Sequence, residues 1–417
     1  MYKRLCLRQK GRATRRIKAD NMAYSGHTVV SLFAGCGGLD LGFRQQGFRT
    51  IGAFDVDAHV VDVFNENVAP VAKVCDLSVE TPHIKSDVLI AGSPCQGFST
   101  AGRGDPNDPR NDLLVRAGQI ALHLRPRVFL LENVPAAIAG RHGSRWERVE
   151  TMLKTAGYNV ARVIAEGSTS GVPQLRKRLF LVAWRGNNTI RCQPEEKKAS
   201  NLASVLSNVH GLSGHDPIPM IAGSREQKIV SHIGPGQKLC NVRISRAAVP
   251  TWQIPEVFGI VSNQERQVLN AIVRLRRRDR RRDFGDADPV TPNSVSRHLT
   301  RCCDRELARL LHLGYLRRIG RYVDLQHTYN GKYRRLSLSG LSPTVDTHFG
   351  NPGLFVHPTS NRGMTPREAA RIQGFRDDFQ IKSSRPRAFR MIGNAVPPPM
   401  AARLAEFIRK GIFAGKK

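Results

Sequence analysis

Asp87-Val88-Leu89-Ile90-Ala91-Gly92-Ser93-Pro94-Cys95-Gln96-Gly97-Phe98-Ser99 is the stretch on which the reading of this chain turns. Its first half is short, apolar and ended by turn residues, the pattern of an interior parallel strand whose carboxyl edge opens into a site. A glycine, a proline and a second glycine then lift Cys95 out of that strand, so its thiol faces a crevice and not a core. A lone cysteine is ordinarily an inert buried hydrophobe. What raises Cys95 above that is its neighbours.

Upstream, Thr28 to Phe33 reads as a strand, Ala34-Gly35-Cys36-Gly37-Gly38 as a glycine loop and Leu39 to Gln46 as a helix, the opening of a nucleotide-type α/β fold. A second strand, Arg49 to Phe54, ends in Asp55-Val56-Asp57. An acid at that place commonly takes ribose hydroxyls, and Asp55 lies about 20 residues past the glycine loop. Asp57 reads equally as a helix cap. A third segment, Val71 to Val74, leads to Cys75-Asp76. Downstream, a helix from Leu113 to Leu124 precedes Val128 to Leu131, which delivers Glu132-Asn133-Val134 to the edge that carries Cys95. Carboxylate and thiol then share one crevice. Trp146 to Ala156 reads as a helix, and Asn159 to Ile164 and Leu179 to Trp184 as strands, with Gly171 to Arg178 between them.

The regular alternation stops at Trp184. Irregular, basic sequence follows to about Leu336 and reads as a second domain inserted in the first. The expected layout is a basic, disordered arm at 1–27, with a start at Met22 as the alternative. A catalytic and cofactor-binding part follows at 28–186, an inserted domain at 187–338, and a return to the first domain at 339–417. Inside the insert, Asn263 to Arg282 places Val268, Ile272 and Leu275 on one helical face and ends in seven arginines within Arg274 to Arg282. Such a cluster seeks phosphate, although a solvated helix end is the plainer account. Asn293 to Leu299, Asp304 to Leu313 and the strand-like Arg317 to Leu325 complete the order of a winged helix-turn-helix over 263–325. Near the C-terminus, Thr365-Pro366-Arg367-Glu368 combines an N-cap, a proline at N1 and a capping box.

Lysine plus arginine outnumber aspartate plus glutamate by 65 to 34, a formal charge of +31, which points to a polyanion and first to nucleic acid. No run of about 18 apolar residues and no secretory pattern is present, so a membrane-spanning or exported protein is not supported. The eight cysteines contain no CxxC pair, against a zinc site or a disulfide framework, and no metal is expected. The chain reads as cytoplasmic.

The ordered motifs resemble those of bacterial DNA (cytosine-5) methyltransferases, the methylases of type II restriction-modification systems. The match comprises Phe33 to Leu39, Pro94 to Ser99, Glu132 to Val134, Gln174-Leu175-Arg176-Lys177-Arg178, Arg367 to Phe375 and Gly393-Asn394-Ala395-Val396-Pro397. Any one is a weak pattern, but six in family order are highly specific. The resemblance covers about 28 to 184 and 340 to 413, and by position the insert matches the family's target recognition domain. It implies an α/β fold, a class I S-adenosylmethionine-dependent methyltransferase of Rossmann-like build with that smaller domain inserted.

It also implies roles. Cytosine C5 is a poor nucleophile until something adds at C6. Cys95 would add there, Glu132 would hydrogen-bond N3 and the exocyclic amine, and Arg176 would support O2. Arg178, ranked below Arg176, would brace the loop or Glu132. The base would be flipped out of the duplex, and Gln96 to about Arg110 would close over it. For S-adenosylmethionine, Phe33, Gly35 and Gly37 would approach the methionine part, Asp55 the ribose and Asp76 the adenine amine, with Val56 and Leu77 flanking the adenine and Pro94 and Asn394 contributing. Gln96, Ser99, Gln174, Arg276, Arg277 and Arg278 are the expected DNA contacts. Gly97 stands where proline or alanine is commoner, and Asp55 where glutamate is usual. The implied function is sequence-specific methylation of double-stranded DNA by a monomer, protecting host DNA beside a cognate restriction endonuclease. Rival readings are tRNA cytosine methylation and a DNA-binding regulator using 263–325.

Overall fold

The structure is a computed structural model that describes residues 25–94, 108–139, 143–187, 194–283, 285 and 287–413. The N-terminal arm up to residue 24, together with Cys95, Gln96, Ser99 and most of the expected lid, lies outside the described residues. The chain gathers into two compact units. One takes residues up to 163, 179–194 and 401 onward, and the other takes 164–178 and 195–400.

The first unit is built on β1 (Thr28–Leu32), α1 (Gly38–Gln45), β2 (Arg49–Asp55), α2 (Ala58–Asn67), β3 (Ala72–Val74), β4 (Val88–Gly92), α3 (Leu113–Leu124), β5 (Val128–Asn133) and α4 (Gly143–Thr155). Two further strands of its sheet follow, β6 (Asn159–Glu166) and β8 (Lys177–Trp184); the short β7 (Gln174–Leu175), between them in sequence, lies in the second unit. The seven-stranded sheet has the order β3-β2-β1-β4-β5-β8-β6. Strands β1 to β5 pair in parallel, and β8 runs antiparallel to β5. Val29, Val30, Val88 to Ala91 and Val128 to Leu131 are all fully enclosed. Strands buried on both faces need continuous apolar sequence, and these have it.

From β1 the chain steps outward to β2 and β3, then returns to lay β4 on the other side of β1. Strand order therefore reverses between β1 and β4. In open α/β sheets, ligands bind outside the carboxyl ends of the strands at such a reversal. The glycine loop leaves β1 at this edge and Ser93-Pro94 leaves β4 there. At the other end of the chain, Arg127 donates to the Ile412 carbonyl at 2.7 Å, and the Phe413 ring lies 4.1 Å from that of His27. These contacts seat the returning C-terminal segment on the first unit.

Asp40, in the first turn of α1, is wholly enclosed; it accepts from Ser31 Oγ at 3.0 Å and Thr50 Oγ1 at 3.3 Å. Burial raises its pKa to about 7, against the pull of those two hydroxyls. The folded protein thus keeps a proton that the unfolded chain releases near pH 4. The contribution of this group to stability is therefore full below that value and is lost as pH rises through about 7. Asp40→Asn is expected to flatten this slope, which is worth up to about 4 kcal/mol. Melting temperatures at pH 5.5 and pH 8 check it: wild type should lose several degrees relative to the variant between the two.

In the second unit Ser342–Pro343 pairs with Gln174–Leu175, and Phe355–Val356 pairs with Arg334–Arg335, so the segment after 339 is joined both to the motif at 174–178 and to the end of the insert. The capping box of Thr365 and Glu368 forms as read, opening the helix Pro366–Ile372. The long helix is shorter than its arginine run suggested. Asn263–Arg278 is helical, opened by a second capping box of Ser262 and Glu265 that the sequence reading had not picked out. It stops because Asp288 draws off the amides of Arg281 and Arg282. Val268, Ile272 and Leu275 lie on its buried face, as their spacing predicted. Among the described residues no helix is long and apolar enough to cross a membrane.

Candidate active site

After β1 the backbone turns left-handed at Phe33 (φ 52), Gly35 (φ 55) and Gly37 (φ 87). Phe33 is the costly one, because only glycine adopts this region without strain. The turn is held by Ala34 N–H on the Phe54 carbonyl at 3.0 Å and by Gly35 N–H on Asp55 Oδ2 at 2.9 Å. A Cβ on Gly37 would lie 2.4 Å from Val68 Cγ2, whereas one on Gly35 would meet nothing within 4 Å. Gly35 therefore presents bare backbone to open space, where a ligand can lie against it.

Asp55 spends one hydrogen bond per carboxylate oxygen on this loop, the second accepting from Asp57 N–H at 3.1 Å. Each oxygen retains a lone pair for a diol. Asp57 is the N-cap of α2, accepting from the His59 and Val60 amides, which decides between its two readings in favour of the cap. Val56 is 67% exposed, while Leu77 is buried in the core with Phe54 and Cys75. Of the two residues expected to flank an adenine, only Val56 offers an open face. Asp76 is exposed and accepts from Ser78 N–H and Oγ at 3.0 and 2.6 Å, which hold its pKa below the usual carboxylate range. Pro94, at the end of β4, is partly buried. A bare-backbone loop, a diol-ready carboxylate and an exposed apolar face suit a nucleoside with an amino-acid tail, and nothing here is a phosphate cradle.

At the next strand, Gly92 lies directly opposite Glu132 in the β4–β5 register. A Cβ on Gly92 would lie 3.8 Å from Glu132 Oε2 and 3.7 Å from the Phe33 carbonyl, so the carboxylate lies at the end of β4, where the glycine loop also arrives. Asn133 is fully buried. Its amide donates to Ser93 Oγ at 3.0 Å and to the Ser93 carbonyl at 3.4 Å, and its own oxygen accepts from Val134 N–H. The backbone two residues before Cys95 is thereby tied to the residue after Glu132. Asn133 was quoted in the sequence motif without a role. A polar residue between an apolar strand and a turn must find buried partners, and that is the signal that marks it.

In the second unit, Gln174 and Arg176 are both fully enclosed. Gln174 Oε1 accepts from Val345 N–H at 3.1 Å, and its Nε2 donates to Gln373 Oε1 at 2.5 Å and to the Ile372 carbonyl at 3.3 Å. The expectation that Gln174 touches DNA is corrected: its amide is spent inside the protein. Arg176 donates to three carbonyls, Val345 at 2.9 Å, Gly393 at 3.0 Å and Ala395 at 2.8 Å. Two of those flank Asn394, which is exposed at the end of the helix Arg385–Asn394. Gly393 is required by close packing, since a Cβ would lie 2.4 Å from the Asp346 backbone. Arg178 donates from Nη1 to the Lys177 carbonyl at 2.8 Å.

The arginines expected at DNA divide. Arg276 is buried and ion-paired with Asp324 at 2.5 Å, which removes it from any DNA surface. The helix face it occupies is the core face, which the surrounding run of arginines conceals in sequence. Arg277 and Arg278 are exposed, and Arg278 pairs with Asp279 at 2.6 Å.

Comparison with known proteins fits this geometry. Residues 27–410 match the family of C-5 cytosine-specific DNA methylases. The chain is 29% identical to the type II methyltransferase M.AgeI of Thalassovita gelatinovora, over 92% of this chain and 99% of that protein. It is 26% identical to the type II methyltransferase M.XorII of Xanthomonas oryzae pv. oryzae, over 92% and 84% respectively. Among solved structures, the Entamoeba histolytica methyltransferase EhMeth superposes with a TM-score of 0.56 at 14% identity, covering 92% of this chain and 98% of that one. The fold is therefore that of the class I S-adenosylmethionine-dependent methyltransferases. The chain belongs to the C-5 cytosine-specific DNA methylases. It is an enzyme that moves a methyl group from S-adenosylmethionine to C5 of cytosine in DNA.

Proposed function

We propose that the chain methylates one cytosine within a short recognition sequence of double-stranded DNA, by flipping the base out and forming a covalent bond between Cys95 and C6. The observation that carries this is the β4–β5 edge. Gly92 opposite Glu132 and Asn133 on Ser93 give the segment entering Cys95 a fixed start beside the carboxylate. Attack of the Cys95 thiolate at C6 pushes the ring electrons towards N3 and C5. Glu132, as the acid, donates to N3 and accepts from the exocyclic amine, so the negative charge does not build up there and C5 becomes nucleophilic. S-adenosylmethionine, when bound, supplies an electrophilic methyl group for C5. Loss of the C5 proton to solvent water then restores the C5–C6 double bond and expels the Cys95 thiolate, and N3 returns its proton to Glu132. Asp55, the Phe33 to Gly37 backbone, Val56 and Asp76 are the residues we assign to holding the methyl donor, with Pro94 and Asn394 contributing.

We assign the support of O2 to Arg178 and not to Arg176. Three carbonyls already occupy Arg176, which acts as a clamp around Asn394. The inserted residues 187–338 supply target recognition. The two type II methyltransferases to which the chain is similar support a place in a restriction-modification system, in which it protects host DNA from a cognate endonuclease. Bisulfite sequencing of plasmid from cells expressing wild type or Cys95→Ala tests the reading. Protected cytosines in one recurring context, absent with the variant, are the expected result; no protected cytosine with a folded, expressed protein would overturn it.

A further inference from the structure

The arginine run after the long helix is the feature that the methylation chemistry does not use. It sits in a small body with its own core, in which Val268, Ile272, Val295, Leu307, Leu310 and Val323 pack together. The order is helix Asn263–Arg278, a bridge at Val290, helices Pro292–Leu299 and Asp304–His312, then the hairpin Leu316–Ile319 and Tyr322–Leu325. Val290 bridges antiparallel to Val323, so the hairpin is joined to the segment between the first two helices. The second and third helices are linked by four residues, Thr300 to Cys303, opened by Thr300 in the left-handed region (φ 55). That is the connection of a helix-turn-helix. Arg305 and Ala308 are exposed on the third helix, and Arg318 and Arg321 on the hairpin.

The run itself is built into place. Asp288, buried, accepts the Arg281 and Arg282 amides at 2.7 and 3.0 Å and also the Arg282 guanidinium. Two arginines then flank one aromatic ring of the hairpin: the Arg281 guanidinium lies 4.0 Å and that of Arg321 5.2 Å from the Tyr322 centroid. A solvated helix end would need neither the buried aspartate nor the ring. Two arginine groups far apart in sequence are gathered on one surface, beside a helix-turn-helix.

We propose that residues 263–325 form a winged helix-turn-helix, a second duplex-DNA site in which Asp304–His312 enters the major groove while Arg281, Arg318 and Arg321 grip phosphates. This rests on double-stranded DNA being the substrate, and it adds a grip on DNA that the flipped-base pocket does not supply. Arginine suits the task because its planar guanidinium both stacks on the tyrosine and offers a fork to phosphate. Each phosphate contact should add about 0.9 to the dependence of log affinity on log salt.

The test is equilibrium binding of the full chain to a 30-base-pair duplex without methyl donor, across a salt series, for wild type and the triple variant Arg281→Ala, Arg318→Ala, Arg321→Ala. The expected result is a loss of affinity of more than tenfold at low salt and a slope shallower by about 2.7. Replacing the same three residues by lysine should restore most of the slope. An alanine variant that melts like wild type and binds with unchanged affinity and slope would overturn the proposal. So would a wild-type chain that prefers an RNA hairpin to duplex DNA. Because binding is read without methyl transfer, failure to methylate with duplex binding intact would sink the catalytic reading and leave this one standing.

Discussion

Cys95→Ala is expected to lower kcat for methyl transfer by at least about 10⁴-fold, because without addition at C6 the C5 carbon has no electron pair to offer the methyl donor. The variant should still bind duplex DNA, since in the proposed mechanism the thiol acts only after the base has left the stack. A second readout makes the argument chemical. If fluorine replaces the hydrogen at C5 of the target cytosine, the last step cannot occur, since fluorine does not leave as a cation. Wild type should then remain bonded to DNA through Cys95 and migrate as a conjugate on a denaturing gel. Cys95→Ala should form none. A conjugate formed by the alanine variant would place the nucleophile elsewhere.

Arg176 and Arg178 stand two residues apart in one motif and should fail in opposite ways. Arg176→Ala strands the carbonyls of Val345, Gly393 and Ala395 in an enclosed site. Losing a buried charged donor of this kind costs about 3–5 kcal/mol, enough to lower the melting temperature substantially or prevent folding. Lysine should not rescue it, because one ammonium lacks the fork that reaches three acceptors. Arg178→Ala also removes a buried arginine, but it should cost less stability than Arg176→Ala while lowering kcat by about 10²- to 10³-fold, the usual effect of removing one donor to developing charge. Melting and single-turnover rates, measured on both variants, check the pair. A stable Arg176→Ala enzyme with a large rate defect would reverse the assignment.

Much of this was legible in the chain alone. The unbroken apolar runs at Val88 to Ala91 and Val128 to Leu131 could only be strands covered on both faces, and glycine, proline and acidic residues marked where they end. The capping box at Thr365 and the apolar face of Val268, Ile272 and Leu275 follow from local spacing, so the folded protein repeats them. What spacing cannot carry is which polar side chains turn inward. Gln174, Arg176 and Arg276 look like surface residues in sequence, and each is enclosed because segments distant along the chain supply its partners: Val345 and Gln373 for Gln174, Val345, Gly393 and Ala395 for Arg176, Asp324 for Arg276. The arginine run shows the same limit from the other side, since its meeting with Tyr322 joins residues some 40 positions apart. The sequence by itself determined the order of strands and helices, the residue types at their ends and the family. Only the tertiary structure decided which charges are held inside and which are left exposed, because burial of a charge depends on partners that no local pattern contains.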